Sequence, residues 1–331
     1  MNRRLLSVLF SVLIVCGAPH SPAWAQADDK FPSKPLRMIV AWPAGGGIDS
    51  GTRAVAQGLA KRIGQPVVVE NRPGASGVIG TEYGARSAPD GYTIMVGNID
   101  AFSINPHVLS VKYDPEKSFE PVAPLGSYPM AVAARSGFQG NTIADAVRMA
   151  KADPGKLTFG SQGTGTSGQL GFVLLEQMAG IELLHVPYNG GSPSVAALLA
   201  NQIDLLILPL FQADLLQKSG KIKILGITSG RRSALFPQYP TIAEQGFPEY
   251  NWQQWLGFYL PTGSPPKTRQ FIETEINALL QAPDAAPTFR PMGYEKTGGT
   301  AAELNAMMLK DSATWGHLVR SRKIRVQETA R

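Results

Sequence analysis

Cysteine is nearly absent: the 331 residues contain one, Cys16. It lies in a leader-like N-terminus, so removal of that leader leaves no thiol for a disulfide, a nucleophile or a metal site. Histidine is also scarce, at four. One of these, His20, is in the same leader, and His107, His185 and His317 are scattered. No H-E-x-x-H motif or cluster of histidines and carboxylates points to a metal, and none is expected. No G-x-S-x-G occurs, so the nucleophile elbow of an α/β-hydrolase is missing. Beyond the N-terminus no apolar run is long enough to cross a bilayer, which takes about 20 residues.

The leader itself has the order of a secretory signal. Arg3 and Arg4 form a basic start, Leu5 to Gly17 is an apolar core, and Pro19, Ser21 and Pro22 break it. Ala23-Trp24-Ala25 then supplies the small-x-small pattern of a cleavage site. Export to the periplasm and cleavage after Ala25 are the expectation. The net charge of +6 includes the two leader arginines and no leader acid, which leaves +4 for the remainder. Arg320, Arg322, Lys323 and Arg325 gather near the C-terminus without interleaved aromatics. A solvated helix end is the simpler reading of them, and no nucleic-acid partner is expected.

Short apolar runs alternate with helical patterns, which predicts an α/β protein whose sheets are mostly parallel and flanked by helices. Strands are expected over residues 36–42, 66–70, 92–97, 130–134, 156–160, 183–186, 203–208, 222–228 and 256–260. Helices are expected over 49–63, 142–152, 169–178, 194–200, 267–280 and 301–319. That many elements over about 300 residues fit two lobes rather than one.

Ligands of open α/β sheets bind beyond the carboxyl ends of strands. Three loops at such ends share one chemistry. The first, Pro43 to Ser50, holds three adjacent glycines. The second, Ser161 to Gly168, is built of small and hydroxyl residues. The third, Tyr188 to Pro193, again places glycine and serine before a helix. Glycine lets a ligand approach the backbone, and a helix N-terminus offers free N–H groups to an anion. The second loop also fits G-x-G-x-x-G. However, Glu182 comes too early to be the ribose-binding acid of a dinucleotide fold, and no cofactor is expected. Asp49 reads as a helix-capping residue rather than a ligand contact, since its charge would repel an anion.

With these loops in place the chain resembles the tripartite tricarboxylate transporter receptors, also called the Bug family of extracytoplasmic solute receptors. The resemblance runs from Phe31-Pro32-Ser33-Lys34-Pro35 through the Trp42-Pro43-Ala44-Gly45-Gly46 loop to Gly64-Gln65-Pro66-Val67-Val68-Val69-Glu70-Asn71-Arg72-Pro73-Gly74. It continues in Ala88-Pro89-Asp90-Gly91-Tyr92-Thr93, Asp153-Pro154-Gly155-Lys156-Leu157, the Gly160 to Ser167 loop, His185-Val186-Pro187-Tyr188 and Pro240-Thr241-Ile242-Ala243-Glu244. It implies a two-lobed, type II-like periplasmic-binding-protein fold with the ligand cleft between the lobes. Lobe 1 would comprise residues 26–127 and 252–331, and lobe 2 residues 128–251. It implies a small carboxylate (dicarboxylate, amino acid or aromatic acid) held by Trp42, Ala44, Gly45, Gly46, Ser161, Thr164, Thr166, Ser167, Gln169 and Tyr188. The implied partners are the large and small membrane subunits of a secondary transporter, served by a monomeric receptor.

Three departures from the family pattern bear on the ligand. Gln169 stands where histidine is common, Leu208-Pro209 where a strand often ends in Asp or Asn, and Trp42 where Phe or Tyr precedes the proline. Together they favour a ligand with an apolar or aromatic body over a highly charged one such as citrate. The alternative class is a periplasmic enzyme acting on a small carboxylate. Among the remaining histidines, His185 at a strand end reads more simply as structural, and binding without chemistry needs the fewest further residues.

Overall fold

The computed structural model describes residues 31–322 and residue 324. The expected signal segment, with Ala23 to Ala25, and the basic residues Lys323 and Arg325 lie outside the described residues. The strands are β1 Leu36–Val40, β2 Val67–Asn71, β3 Thr93–Asn98, β4 Phe119–Tyr128, β5 Met130–Arg135, β6 Thr158–Ser161, β7 Leu184–Pro187, β8 Leu205–Pro209, β9 Ile222–Ile227 and β10 Gln254–Pro261. The helices are α1 Gly47–Ile63, α2 Val78–Ala85, α3 Asn105–Val108, α4 Pro115–Ser118, α5 Ile143–Ala152, α6 Ser167–Ala179, α7 Gly191–Leu199, α8 Leu210–Lys218, α9 Pro266–Leu280, α10 Ala285–Phe289 and α11 Ala301–Ser321. A π-helical turn, Asp100–Ile104, follows β3.

Two five-stranded sheets organise these elements, one ordered β2-β1-β3-β10-β4 and the other β7-β6-β8-β5-β9. They share one plan. In the first, β1 pairs in parallel with β2 and β3, while β10 runs antiparallel between β3 and β4. In the second, β6 pairs in parallel with β7 and β8, while β5 runs antiparallel between β8 and β9. The chain builds four strands of the first sheet, crosses at Pro129 to build the second, and returns to insert β10. The result is a two-lobed α/β fold. In strand order and direction β1 corresponds to β6, β2 to β7 and β3 to β8.

The central strands read as unbroken apolar runs because both faces are covered. Met38, Ile39 and Val40 of β1 are fully buried, with α1 and α2 both packed on the strand. In the second lobe Leu206 and Leu208 of β8 join Ala131, Ala133 and Ile227 in one core cluster.

The expected elements are present, with shifted ends. Strand pairing of β1 stops at Val40 rather than Trp42, and α1 and α6 begin at Gly47 and Ser167, two residues earlier than periodicity indicates. Three longer elements had no counterpart in the sequence reading. β4 contains Pro121, Pro124 and Gly126, which break a strand pattern; it lies at a sheet edge, pairs with β10 alone among the strands and carries register shifts, where proline is tolerated. In α2, Gly80 and Gly84 look like loop residues. A Cβ on Gly80 would lie 2.7 Å from Ala41 Cα, so glycine there is what lets the helix lie close on the sheet. α8 begins at Leu210 directly after β8, with no polar loop to mark the change.

Helix α11 closes the first lobe. Thr300 and Glu303 form a capping box at its start, and Trp315 is buried edge-to-face against Trp252 at 5.6 Å. On the same helix the Asp311 carboxylate accepts the Trp255 indole N–H at 2.8 Å. Burial pushes the Asp311 carboxyl up to about 6, against a lowering by the Trp255 bond and Lys310. The folded protein therefore keeps this proton between about pH 4 and 6, where the unfolded chain has released it, and stability from this group falls as pH rises through that window. Asp311→Asn keeps an acceptor for Trp255 and removes the charge. In thermal melts across pH 4 to 7.5 it should match the wild type at pH 4 and exceed it at neutral pH by about 1–2 kcal/mol, discounted for partial exposure. Parallel melting curves at all pH values would show that Asp311 does not titrate this way.

Candidate ligand-binding site

The loop between β1 and α1 is held from behind. Asp49 is 3% exposed, accepts the Gly45 N–H and Arg53 Nε–H, both at 2.9 Å, and receives Asn71 Nδ2–H at 2.9 Å. Burial raises its carboxyl, but the bonds from Arg53, Gly45 and Asn71 outweigh that and hold it below the usual range. Asn71 also donates to the Trp42 carbonyl. Gly45 adopts φ +83°, open to glycine without strain, and Gly46 is an extended N-cap that no side chain caps. The first N–H groups of α1 thus open forward while Asp49 turns away.

The loop between β6 and α6 is satisfied largely from within. The Ser161 hydroxyl is buried, bonds the Gly163 carbonyl at 3.0 Å and lies 2.7 Å from His185 Nε2. The His185 ring stacks on Phe159, and burial lowers its pKa to about 4, so it is neutral at physiological pH. Gln169 Oε1 accepts the Gly165 N–H, and the Thr166 hydroxyl donates to the Gly163 carbonyl, both at 2.7 Å. The Thr164 carbonyl accepts the Ser76 hydroxyl from the other lobe.

Between the lobes lies a cavity of about 620 Å³, within the usual size of small-molecule sites. The first loop contributes Trp42 to Ile48, the second Gln162, Thr166 and Ser167, and the third Asn189 to Pro193. Of the residues expected at the site, Trp42, Ala44, Gly45, Gly46, Thr166 and Ser167 meet here. Ser161, Thr164 and Gln169 do not line the cavity and instead fix the shape of their loop. Tyr188 turns into the core of the second lobe.

Several cavity residues had no signal in the loop pattern. Tyr128, Met130, Phe211, Leu215 and Met292 form an apolar wall, with Phe211 edge-to-face on Tyr128 at 6.1 Å. Leu208 and Pro209 extend it. Gln254 and Tyr128 are register partners on β10 and β4, which puts both side chains on the cavity face. Asp100 is 4% exposed and sits at the start of the π-helical turn. Its Oδ1 accepts the Ser167 N–H at the head of α6, across the lobes. Its Oδ2 accepts from Asn98 Nδ2 at 2.8 Å and from Gln254 Nε2 at 3.1 Å. Burial raises the Asp100 carboxyl above the ordinary range, partly offset by bonds from Ser167, Gln254 and Asn98. Its position beyond the carboxyl end of β3 was the one available clue.

Known proteins place this arrangement. A protein of Pseudomonas sp. (strain P51), from the tcbD-tcbE intergenic region, is 33% identical over 298 residues, 89% of this chain and 88% of the relative. The solved structure of the periplasmic binding protein BugD is 29% identical with a TM-score of 0.81, covering 89% of this chain and all of that one. An R. palustris protein solved with adipate is 28% identical with a TM-score of 0.83, covering 88% and 98%. The model of the tripartite tricarboxylate transporter family receptors matches residues 52–324. This chain, a two-lobed protein with glycine loops at its cleft, belongs to the tripartite tricarboxylate transporter receptor family.

Proposed function

We propose that this chain is a periplasmic receptor that captures a small organic carboxylate in the inter-lobe cavity and delivers it to the membrane subunits of a tripartite tricarboxylate-type transporter. The observation that carries this reading is the pair of uncapped helix N-termini at the cavity, α1 behind Gly46 and α7 behind Gly190. Their N–H groups and helix dipoles supply anion contacts without a formal charge. The ligand carboxylate rests on the Gly46 to Ile48 backbone, with Gly191 and Ser192 from the other lobe. The Ser167 N–H, being taken by Asp100, is not its main donor. Trp42, Tyr128 and Phe211 enclose the ligand body, in keeping with an apolar or aromatic acid. The adipate found with the R. palustris relative supports the carboxylate class.

Binding between lobes links occupancy to closure. In a thermal-shift panel of organic acids and amino acids, a true ligand at about 100 times its dissociation constant should add about 2.7 kcal/mol of stability. The same compound should compact the protein in small-angle scattering. A broad panel in which no carboxylate moves the melting point would remove this function. Mass spectrometry of a periplasmic fraction, with a chain beginning near Gln26, would support the proposed export and cleavage.

A further inference from the structure

Among the described residues, Asp100 is the one carboxyl side chain lining the cavity, and no lysine, arginine or histidine lines it. A site for a dianion would here place its second carboxylate against a buried carboxylate with no cation to separate them. What surrounds Asp100 points the opposite way. Three of its roughly four lone-pair positions are taken by Ser167, Asn98 and Gln254. The Gln254 Nε2 bond to Asp100 fixes which way that amide faces, and leaves Gln254 Oε1 buried with no donor. The Asn98 side-chain oxygen is already used, by the Ala101 N–H and the Trp42 indole. This end of the cavity is thus lined by a buried carboxyl group, with the unmatched Gln254 Oε1 buried in a side chain bonded to it. Both call for N–H donors, and a buried acceptor left unpaired is costly. The head of α6 contributes only a partial positive charge of about half a unit.

Resting on the carboxylate-receptor reading, we propose that Asp100 and Gln254 Oε1 recognise an ammonium group, so that the ligand is an amino carboxylate rather than a plain mono- or dicarboxylate. Its carboxylate lies on the α1 N-terminus, its ammonium points to Asp100, and its side chain lies along Tyr128, Phe211, Met130 and Met292. An ammonium brings three donors, enough to fill the remaining acceptor positions. Its charge also restores the ionised form of Asp100 that burial disfavours.

Calorimetry on the mature protein tests this with matched sets. The standard L-amino acids would be compared with their deaminated analogues (phenylalanine against 3-phenylpropanoate, leucine against 4-methylpentanoate) and with four- to eight-carbon dicarboxylates. The tightest amino acid should bind at least tenfold better than its deaminated partner and than any dicarboxylate. Asp100→Asn should bring that ratio below about threefold, with most of the loss on the amino acid. Gln254→Met, which keeps the shape and removes Oε1, should shift the ratio the same way by a smaller factor. A wild type that prefers deaminated acids or dicarboxylates would overturn the proposal and leave the carboxylate receptor standing. A preference that survives both substitutions would overturn the role of Asp100 and Gln254. Failure of every compound in the panel to bind would overturn the receptor reading as well.

Discussion

Gly46→Val should lower affinity for the best ligand of the panel by at least a hundredfold, about 2.7 kcal/mol, while leaving the fold intact. Gly46 has φ −81° and ψ 171°, an extended conformation that a β-branched residue adopts readily. A Cβ built there meets only the Pro43 carbonyl, at 3.8 Å, so the protein itself has room for the new side chain. The methyl groups must then take space beside the α1 N-terminus, where the carboxylate has to approach within hydrogen-bond distance. The melting point of the unliganded variant should stay within about 0.5 kcal/mol of the wild type in stability. Gly45→Val would be a poorer probe, because φ +83° strains any β-branched residue and mixes folding with binding. Calorimetry decides the matter, and wild-type affinity in a folded Gly46→Val protein would move the carboxylate away from α1.

Glycine loops were legible in the sequence because their chemistry is local. Gly45 to Gly47 and Gly190 to Gly191 stand next to the helices they open, so this backbone lining of the cavity can be read directly from strand ends. A hydroxyl on a glycine loop need not point into the cavity, as Ser161 shows. Its hydroxyl lies under the loop, against His185 and the Gly163 carbonyl, a contact between residues 24 apart in the chain. Asp100, Gln254 and Tyr128 escaped notice because non-local pairing brings them together. Gln254 faces the cavity only because β10 returns from the second lobe to lie between β3 and β4. The apolar departures at Trp42 and Leu208-Pro209 were readable one by one, and both line the cavity. The buried Asp100 carboxyl at this end was not readable as a cavity group, since that depends on which strand end meets the head of α6.

That returning strand also carries the residue whose loss should cost most in stability. Trp255 is 1% exposed on β10, one residue beyond Gln254, so its side chain leaves the sheet on the face opposite the cavity and packs toward α11. Trp255→Ala removes one of the largest fully buried side chains and should cost about 3–5 kcal/mol in chemical denaturation. A second effect adds to the cavity it leaves. Asp311 loses the indole N–H, the one hydrogen bond that lowers its carboxyl. Its pKa should then rise above the present value of about 6, and the stability lost on raising pH from 4 to neutral should be steeper than in the wild type. Combining Trp255→Ala with Asp311→Asn should recover part of the loss at pH 7.5 and little of it at pH 4, where the carboxyl is protonated in either case. The recovered part measures the charge, and the unrecovered part measures packing. If Asp311→Asn gains no more at pH 7.5 in the Trp255→Ala background than in the wild type, the indole bond does not hold Asp311 ionised, and the whole cost of Trp255→Ala lies in packing.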